Sequence, residues 1–172
     1  MYHEIDRKFL IEEMPDLSDL ECVVRTRYFL QRNDLIEEFI QDSDGEYSYE
    51  IKTAISPHER TREKKVLTKE EFELLQEKAT RGITRESYIL SSESPRIIIK
   101  KYRGEYEGLV FAEVEFNTYE DSVSFEGLSW TGSEITDTPL GRDSQLLELD
   151  REHFLQILDT EIKRLHTDFE SH

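Results

Sequence analysis

Basic side chains are in short supply in this 172-residue chain, where 22 Lys and Arg stand against 39 Asp and Glu for a formal net charge of −17. Nucleic acid is held by clustered cations that neutralise phosphates, so a general nucleic-acid surface is excluded, and any polyanion has to enter a local basic pocket. Cysteine is nearly absent as well. The lone Cys22 can form no internal disulfide and is too isolated for a structural zinc site, which fits a reducing compartment and leaves its thiol to packing. No apolar run approaches the length that spans a bilayer, and the first residues lack the basic-then-apolar profile of a signal peptide, so a soluble, cytoplasmic protein without a membrane partner is expected. A Gly-rich phosphate loop, a nucleophile elbow and a Cys–His pair are all missing, and the histidines (His3, His58, His153, His166 and His172) show no ligand spacing. Covalent catalysis has no candidate, which leaves metal-assisted chemistry. Repeats, linkers and low-complexity segments are lacking too, and the length suits one domain over residues 1–172.

Charge patterning is what the chain has in abundance. In "HEIDRKFLI", near the start, a period of two puts Glu4, Asp6 and Lys8 on one face and Ile5, Phe9 and Ile11 on the other. One such strand by itself favours a solvated edge, but the pattern recurs. "CVVRTRYFLQ" places Arg25 and Arg27 together. "LIEEFIQ" and "EYSYEIKT", joined across Asp42-Ser43-Asp44-Gly45, form a hairpin with Glu46, Ser48, Glu50 and Lys52 on one side. "HERTREKKVL" aligns Arg60, Arg62 and Lys64, and of these three Arg62 is the best phosphate candidate. "GITRESYIL" pairs Arg85 with Ser87. "RIIIKKY" sets Arg96 and Lys100 beside Ile98 and Tyr102. "LVFAEVEF" puts Phe111, Glu113 and Glu115 on one face. Helices are few. "TKEEFELLQEKA" opens on a Thr68/Glu71 capping box with Phe72, Leu75 and Ala79 at helical spacing, and a short helix is expected around "TYEDSVSF". "WTGSEITDTPLGRDS" reads as a loop. The final helix, "DREHFLQILDTEIKRLH", carries an apolar stripe of Phe154, Leu158, Ile162 and Leu165.

Many strands with few helices between them predict a largely antiparallel sheet, in an α+β arrangement. Recurrent charged faces need a common environment, which a closed barrel supplies by pointing alternate residues into a wet lumen while helices cover apolar outer faces. There Glu4, Asp6, Glu113 and Glu115 would form an oxygen-rich cluster of the kind that Mg²⁺ or Mn²⁺ prefers. Lys8, Arg25, Arg27, Lys52, Arg62, Arg85 and Lys100 would complement a phosphate chain. Acids and bases together point to a metal and a polyphosphate. Tyr88 and Tyr102 read as packing, and Glu134 and Asp143 read as loop acids within reach of the metal region.

At these residues the chain resembles a known family. Glu4, Asp6 and Lys8 are similar to the ExExK signature that opens CYTH-domain proteins, the triphosphate tunnel metalloenzymes. "GLVFAEVEF", with Glu113 and Glu115, resembles the family's late strand of paired metal-binding glutamates. "SWTGSEITDTPLGRDSQL", with Trp130, Gly132, Glu134 and Thr136, resembles its closing stretch, and "ITRESYIL", with Arg85 and Tyr88, is loosely similar to a basic strand. The likeness runs to about Leu147. It implies an eight-stranded antiparallel β-tunnel with flanking helices that binds triphosphate compounds with Mg²⁺ or Mn²⁺ and hydrolyses a terminal phosphate. It further implies Glu4, Asp6, Glu113 and Glu115 as metal ligands, and Lys8, Lys52 and Arg85 as catalytic phosphate contacts among the substrate-binding cations. The expected partner is a small triphosphate molecule, inorganic or organic, with no nucleic acid and no membrane; a homodimer is compatible with the reading. The chain departs from the family's pattern at Glu37-Glu38-Phe39, where two inward arginines are common, at Ser87 in place of a frequent Arg, at Lys100 in place of a frequent Asp, and at Asp6 in place of the commoner Glu. These departures keep two alternatives open: a nucleotide- or polyphosphate-binding module without turnover, and a class IV type adenylate cyclase.

Overall fold

Strict alternation over strands of six to eleven residues makes a sheet with two chemically opposite faces, and such a sheet is satisfied only if each face finds its own solvent. The computed structural model describes residues 2–170, with side chains through Arg164; Leu165, His166 and His172 thus lie outside the described side chains. Eight strands, β1 (Tyr2–Ile11), β2 (Cys22–Arg32), β3 (Ile36–Ser43), β4 (Glu46–Ser56), β5 (Glu59–Leu67), β6 (Gly82–Ser91), β7 (Arg96–Tyr102) and β8 (Val110–Glu115), pair antiparallel in the order β5-β4-β3-β2-β6-β7-β8-β1. Pairing of β1 with β5 closes the ring. The expected antiparallel eight-stranded barrel is the one observed. Its β3–β4 hairpin turns on two residues, Asp44 and Gly45, both at positive φ (49° and 90°), narrower than the four-residue turn read from the sequence.

A ninth strand, β9 (Thr131–Glu134), pairs with the end of β1, inside the stretch read from the sequence as a loop. Its four residues are too short and too polar to announce a strand; pairing with β1 makes it one. The end of the same stretch opens α3 (Asp143–Leu146), whereas α1 (Lys69–Gln76) and α2 (Tyr119–Ser124) fall where expected. The Thr68 and Glu71 capping box forms, with Ala79 beyond the helix end. Phe72 of α1 packs with Ile40 and Leu67 on the outside of the barrel. The last helix, α4 (Arg151–Glu170), buries Phe154 and Leu158, but Ile162 is 49 % exposed, so its stripe covers apolar surface only along its first half. Among the described residues, no helix is long and apolar enough to cross a membrane.

The inner face is layered. Phe29, Phe39, Ile83, Tyr102 and Phe111 join Leu10, Leu140, Leu146 and Phe154 in a buried apolar cluster that fills one end of the lumen. Charged residues occupy the rest. The segment that seals this end passes so close to itself that a Cβ on Gly141 would stand 2.3 Å from the carbonyl oxygen of Ile135 and 2.9 Å from that of Thr136. Gly141→Ala is therefore expected to cost about 2 kcal/mol, because backbone rather than a pliable side chain has to move. Urea unfolding checks this, and an unchanged midpoint would contradict it.

Candidate metal and phosphate site

Two inward strands bring the acids together. Glu113 and Glu115 are two apart on β8 and so share a face, and the β1–β8 register sets Lys8 opposite Glu113 and Asp6 opposite Glu115. Carboxylate oxygens of Glu4, Glu113 and Glu115 lie within 4.8 Å of one another. They line a cavity of 750 Å³ whose other charged walls are Arg25, Arg27, Lys52, Arg62, Lys64, Arg85, Arg96 and Lys100, with Glu21 and Glu46 at the rim. Eight cations thus face five carboxylates here, on a protein whose net charge is −17.

The acidic cluster is only partly answered by these cations. Lys52 Nζ lies 3.2 Å and Arg60 3.6 Å from Glu4 Oε2, Arg96 lies 3.4 Å from Glu115, and Lys100 pairs with Glu113. Even so, Glu4 Oε2 and Glu113 Oε2 are buried without a directed hydrogen bond. Burial opposes ionisation of Glu4, but Lys52 and Arg60 outweigh it and hold the carboxyl well below its ordinary range. Burial, reinforced by Glu113, pushes Glu115 up. The same burial lowers Lys52 to about 7 and Lys100 to about 8.

Across the lumen the basic wall is built differently. Asp143, delivered by α3, accepts from Arg85 Nη1 at 2.5 Å, from Arg27 Nη1 at 3.1 Å and from the Tyr102 hydroxyl at 2.5 Å. Arg27 also donates to Gln41 Oε1 at 3.1 and 3.2 Å. Arg85 Nε and Ser87 Oγ are buried donors with no partner. Burial, then the neighbouring Arg85 and Arg62, lowers the pKa of Arg25, a cation held among cations. One wall thus holds buried donors without a partner, and the other holds clustered carboxylates offset by lysine and arginine side chains.

Of the residues singled out in the sequence, Glu4, Glu113, Glu115, Arg25, Arg27, Lys52, Arg62, Arg85 and Lys100 meet in this cavity. Asp6 and Lys8 line a second cavity instead, of 150 Å³, with His58, Arg60, Asp137 and Arg142. Lys8 Nζ donates to the Gly141 carbonyl at 2.6 Å, and the Asp6 carboxyl, buried beside Glu113 and Glu4, is pushed up to about 7. Facing inward was legible from period two; depth along the barrel was not. Glu134 and Asp143, read as neighbours of the metal region, are engaged elsewhere: Glu134 accepts from Arg7 at 2.6 and 2.8 Å, and Asp143 anchors the arginines. Tyr102 does more than pack, since its hydroxyl completes the Asp143 set. Arg60 was the inward cation passed over. It lies 3.6 Å from Glu4, 3.6 Å from Glu37 and 3.9 Å from Asp6. Its alternation with Arg62 and Lys64 was the available signal. Glu37 and Glu50 also turn inward, and Arg62 Nε donates to Glu50 at 2.5 Å.

Comparisons with known proteins fit this geometry. No family model matches the chain, and no curated protein does. Solved structures do match. The inorganic triphosphatase NE1496 superposes with a TM-score of 0.61 at 23 % identity, over 85 % of this chain and 95 % of that one. A candidate adenylate cyclase from Bacillus halodurans matches with a TM-score of 0.50 at 16 % identity, over 72 % and 86 % of the two chains. A conserved hypothetical protein from Pyrococcus furiosus matches at 0.51 and 14 % identity, over 70 % and 82 %. The chain shares the fold of these structures, a closed eight-stranded antiparallel barrel. In this tunnel fold the strand ring, and with it the inward placement of alternate residues, is common ground; the side chains that fill it are this chain's own.

Asp143 gives a stability test. Burial opposes its ionisation, but Arg85 and Arg27 outweigh it, so its folded pKa lies below the unfolded value of about 3.9. Its contribution is thus fully present above about pH 4 and is lost as pH falls through the folded pKa. Asp143→Asn is expected to cost about 3 kcal/mol at pH 7, since two buried arginines lose their counter-charge. The gap between variant and wild type should narrow below pH 4 in urea titrations; a gap constant with pH would refute the assignment.

Proposed function

We propose that the protein is a Mg²⁺- or Mn²⁺-dependent hydrolase of triphosphate compounds. The observation that carries this reading is the meeting, within one 750 Å³ cavity, of three carboxylates whose oxygens lie within 4.8 Å of one another (Glu4, Glu113, Glu115) and of buried donors without a partner (Arg85 Nε, Ser87 Oγ). Glu4, Glu113 and Glu115 fit a hard divalent ion by donor type and mutual distance and would hold it. When bound, such an ion supplies Lewis-acid stabilisation of charge on phosphoryl oxygens.

The chain's own groups do the remainder. Arg25, Arg85 and Ser87 bind phosphate oxygens, with Arg85 aimed by Asp143. Lys52, Lys100 and Arg62 stand between the carboxylates and that wall, and a phosphate chain arriving there strengthens the hold of the two lysines on protons that burial has weakened. Positive groups spread around a multiply charged phosphoanhydride stabilise charge on the transferring phosphoryl group and its leaving oxygen while a water attacks in line. Lys8 acts from behind: it helps keep Glu113 ionised and ties β1 to the Gly141 turn.

A second reading, binding without turnover, is favoured by Glu37 and Glu50. They neutralise Arg60 and Arg62 inside the lumen and leave less positive charge for a transition state. Phosphate release from tripolyphosphate, thiamine triphosphate and nucleoside triphosphates, with each metal, separates the two, and cyclic nucleotide formation from ATP would mark cyclase chemistry.

Glu113→Gln and Arg85→Met are each expected to lower kcat/KM about 100-fold or more. Glu113→Gln should also abolish metal binding by calorimetry, whereas Arg85→Met should leave it intact. Equal activity of wild type and Glu113→Gln would end the proposal. Lys8→Met should lower the urea midpoint yet move KM less than Lys52→Met does, and the opposite order would contradict the placement of Lys8.

A further inference from the structure

Toward the mouth of the phosphate cavity the charged wall, with Glu21, Glu46, Lys64 and Arg96, is interrupted by apolar side chains. Val23 on β2, Ile89 on β6 and Ile98 on β7 all line it, and Val66 does so from β5, on the far side of the eight-strand ring. The register fixes their direction: Ile89 is paired with Ile98, Val23 with the inward Ser87, and Val66 with the inward Ser48. These are lumen positions rather than outer-surface ones. None of the four belongs to the three apolar clusters that hold the protein together. Val66 is 78 % and Ile89 45 % exposed, so the fold leaves a costly surface open at the entrance.

Three of the four collar residues sit one inward position outside a group assigned to phosphate, Val23 beyond Arg25, Ile89 beyond Ser87 and the buried Ile98 beyond Lys100, while Val66 follows Lys64 in the same way. That step is about 6.6 Å along a strand, so a group carried on the end of a phosphate chain held by those cations would arrive among them. An inorganic polyphosphate has nothing to place there. We infer that Val23, Val66, Ile89 and Ile98 form a subsite for the organic part of the substrate, and that the protein takes an organic triphosphate with an apolar face in preference to tripolyphosphate. The inference rests on the triphosphate reading above and goes beyond it by choosing the substrate class and naming the residues that choose.

The test is calorimetry with Mg²⁺ on the wild type and on a Val66→Ser/Ile89→Ser double variant, whose changed positions are too exposed to carry the fold. Tripolyphosphate, ATP, CTP and thiamine triphosphate are the probes. At least one organic probe should bind the wild type about tenfold tighter than tripolyphosphate, and the double variant should lose about tenfold for that probe. Its Kd for tripolyphosphate and its urea midpoint should stay unchanged. Tripolyphosphate binding as tightly as every organic probe, or a variant that weakens all probes alike, overturns the inference and leaves the triphosphate site standing. Failure of every probe to bind removes the triphosphate reading, and the inference with it.

Discussion

Pairing of β1 with β5 on one side and with β8 on the other turns a sheet into a ring, and this closure decides everything that follows. In an open sheet Glu4, Asp6 and Lys8 would sit in water, and their mutual repulsion and attraction would be screened to little. Inside a ring the same residues lose most of their hydration, at a cost of several kcal/mol per ion unless each finds an opposite charge or a ligand. The alternation of charges along seven further strands is the chain's answer to that cost.

The answer is incomplete in a particular way. Arg60 reaches Glu4, Asp6 and Glu37 from the middle of the lumen, and burial lowers its pKa less than those carboxylates raise it. It lines the smaller cavity, with Asp6 and Lys8, while the Glu4, Glu113 and Glu115 cluster opens into the larger one. Among the described residues, buried side-chain atoms without a hydrogen bond fall mainly around these two spaces. A packed core would not keep them. Their survival in so tightly paired an interior is best understood as room for a ligand.

Much of this was legible in the sequence because β-structure has a period of two and charges declare it. Arg25 with Arg27, Glu113 with Glu115 and Arg85 with Ser87 needed only alternation to be placed on one face. Depth was another matter. Glu4 and Asp6 share a face, yet the residues lie about 6.6 Å apart along β1, enough to put them at different cavities. Pairings across long stretches of chain were equally hidden: Arg60 meets Glu4 through a register set 56 residues away, and Asp143 meets Arg27 and Arg85 from a helix of four residues. β9 escaped because its strand character comes from the partner it adds to rather than from Thr131–Glu134 themselves. Ile162 keeps helical spacing with Phe154 and Leu158 but has outrun the surface they cover.

The acids of β3 and β4 then shape how the site is used. Glu37 engages Arg60, and Glu50 engages Arg62, so the β5-β4-β3 half of the ring is largely neutralised from within. Positive charge is least offset on β2 and β6, where burial with Arg85 and Arg62 outweighs Glu113 and Glu50 in lowering Arg25, and Arg85 and Ser87 keep unused donors. Continuing around the ring, β8 and β1 carry the carboxylate cluster. The proposed phosphate contacts Arg25, Arg85 and Ser87, the carboxylates proposed for a metal and most of the apolar collar therefore fall on five consecutive strands, β2-β6-β7-β8-β1. On the proposed reading, a triphosphate would lie along that wall rather than across the lumen, with its terminal phosphate near β8 and its other end toward Val23 and Ile89. The replacement of inward cations by Glu37 and Phe39 on β3 does not empty the site on this account; it moves the site to one side.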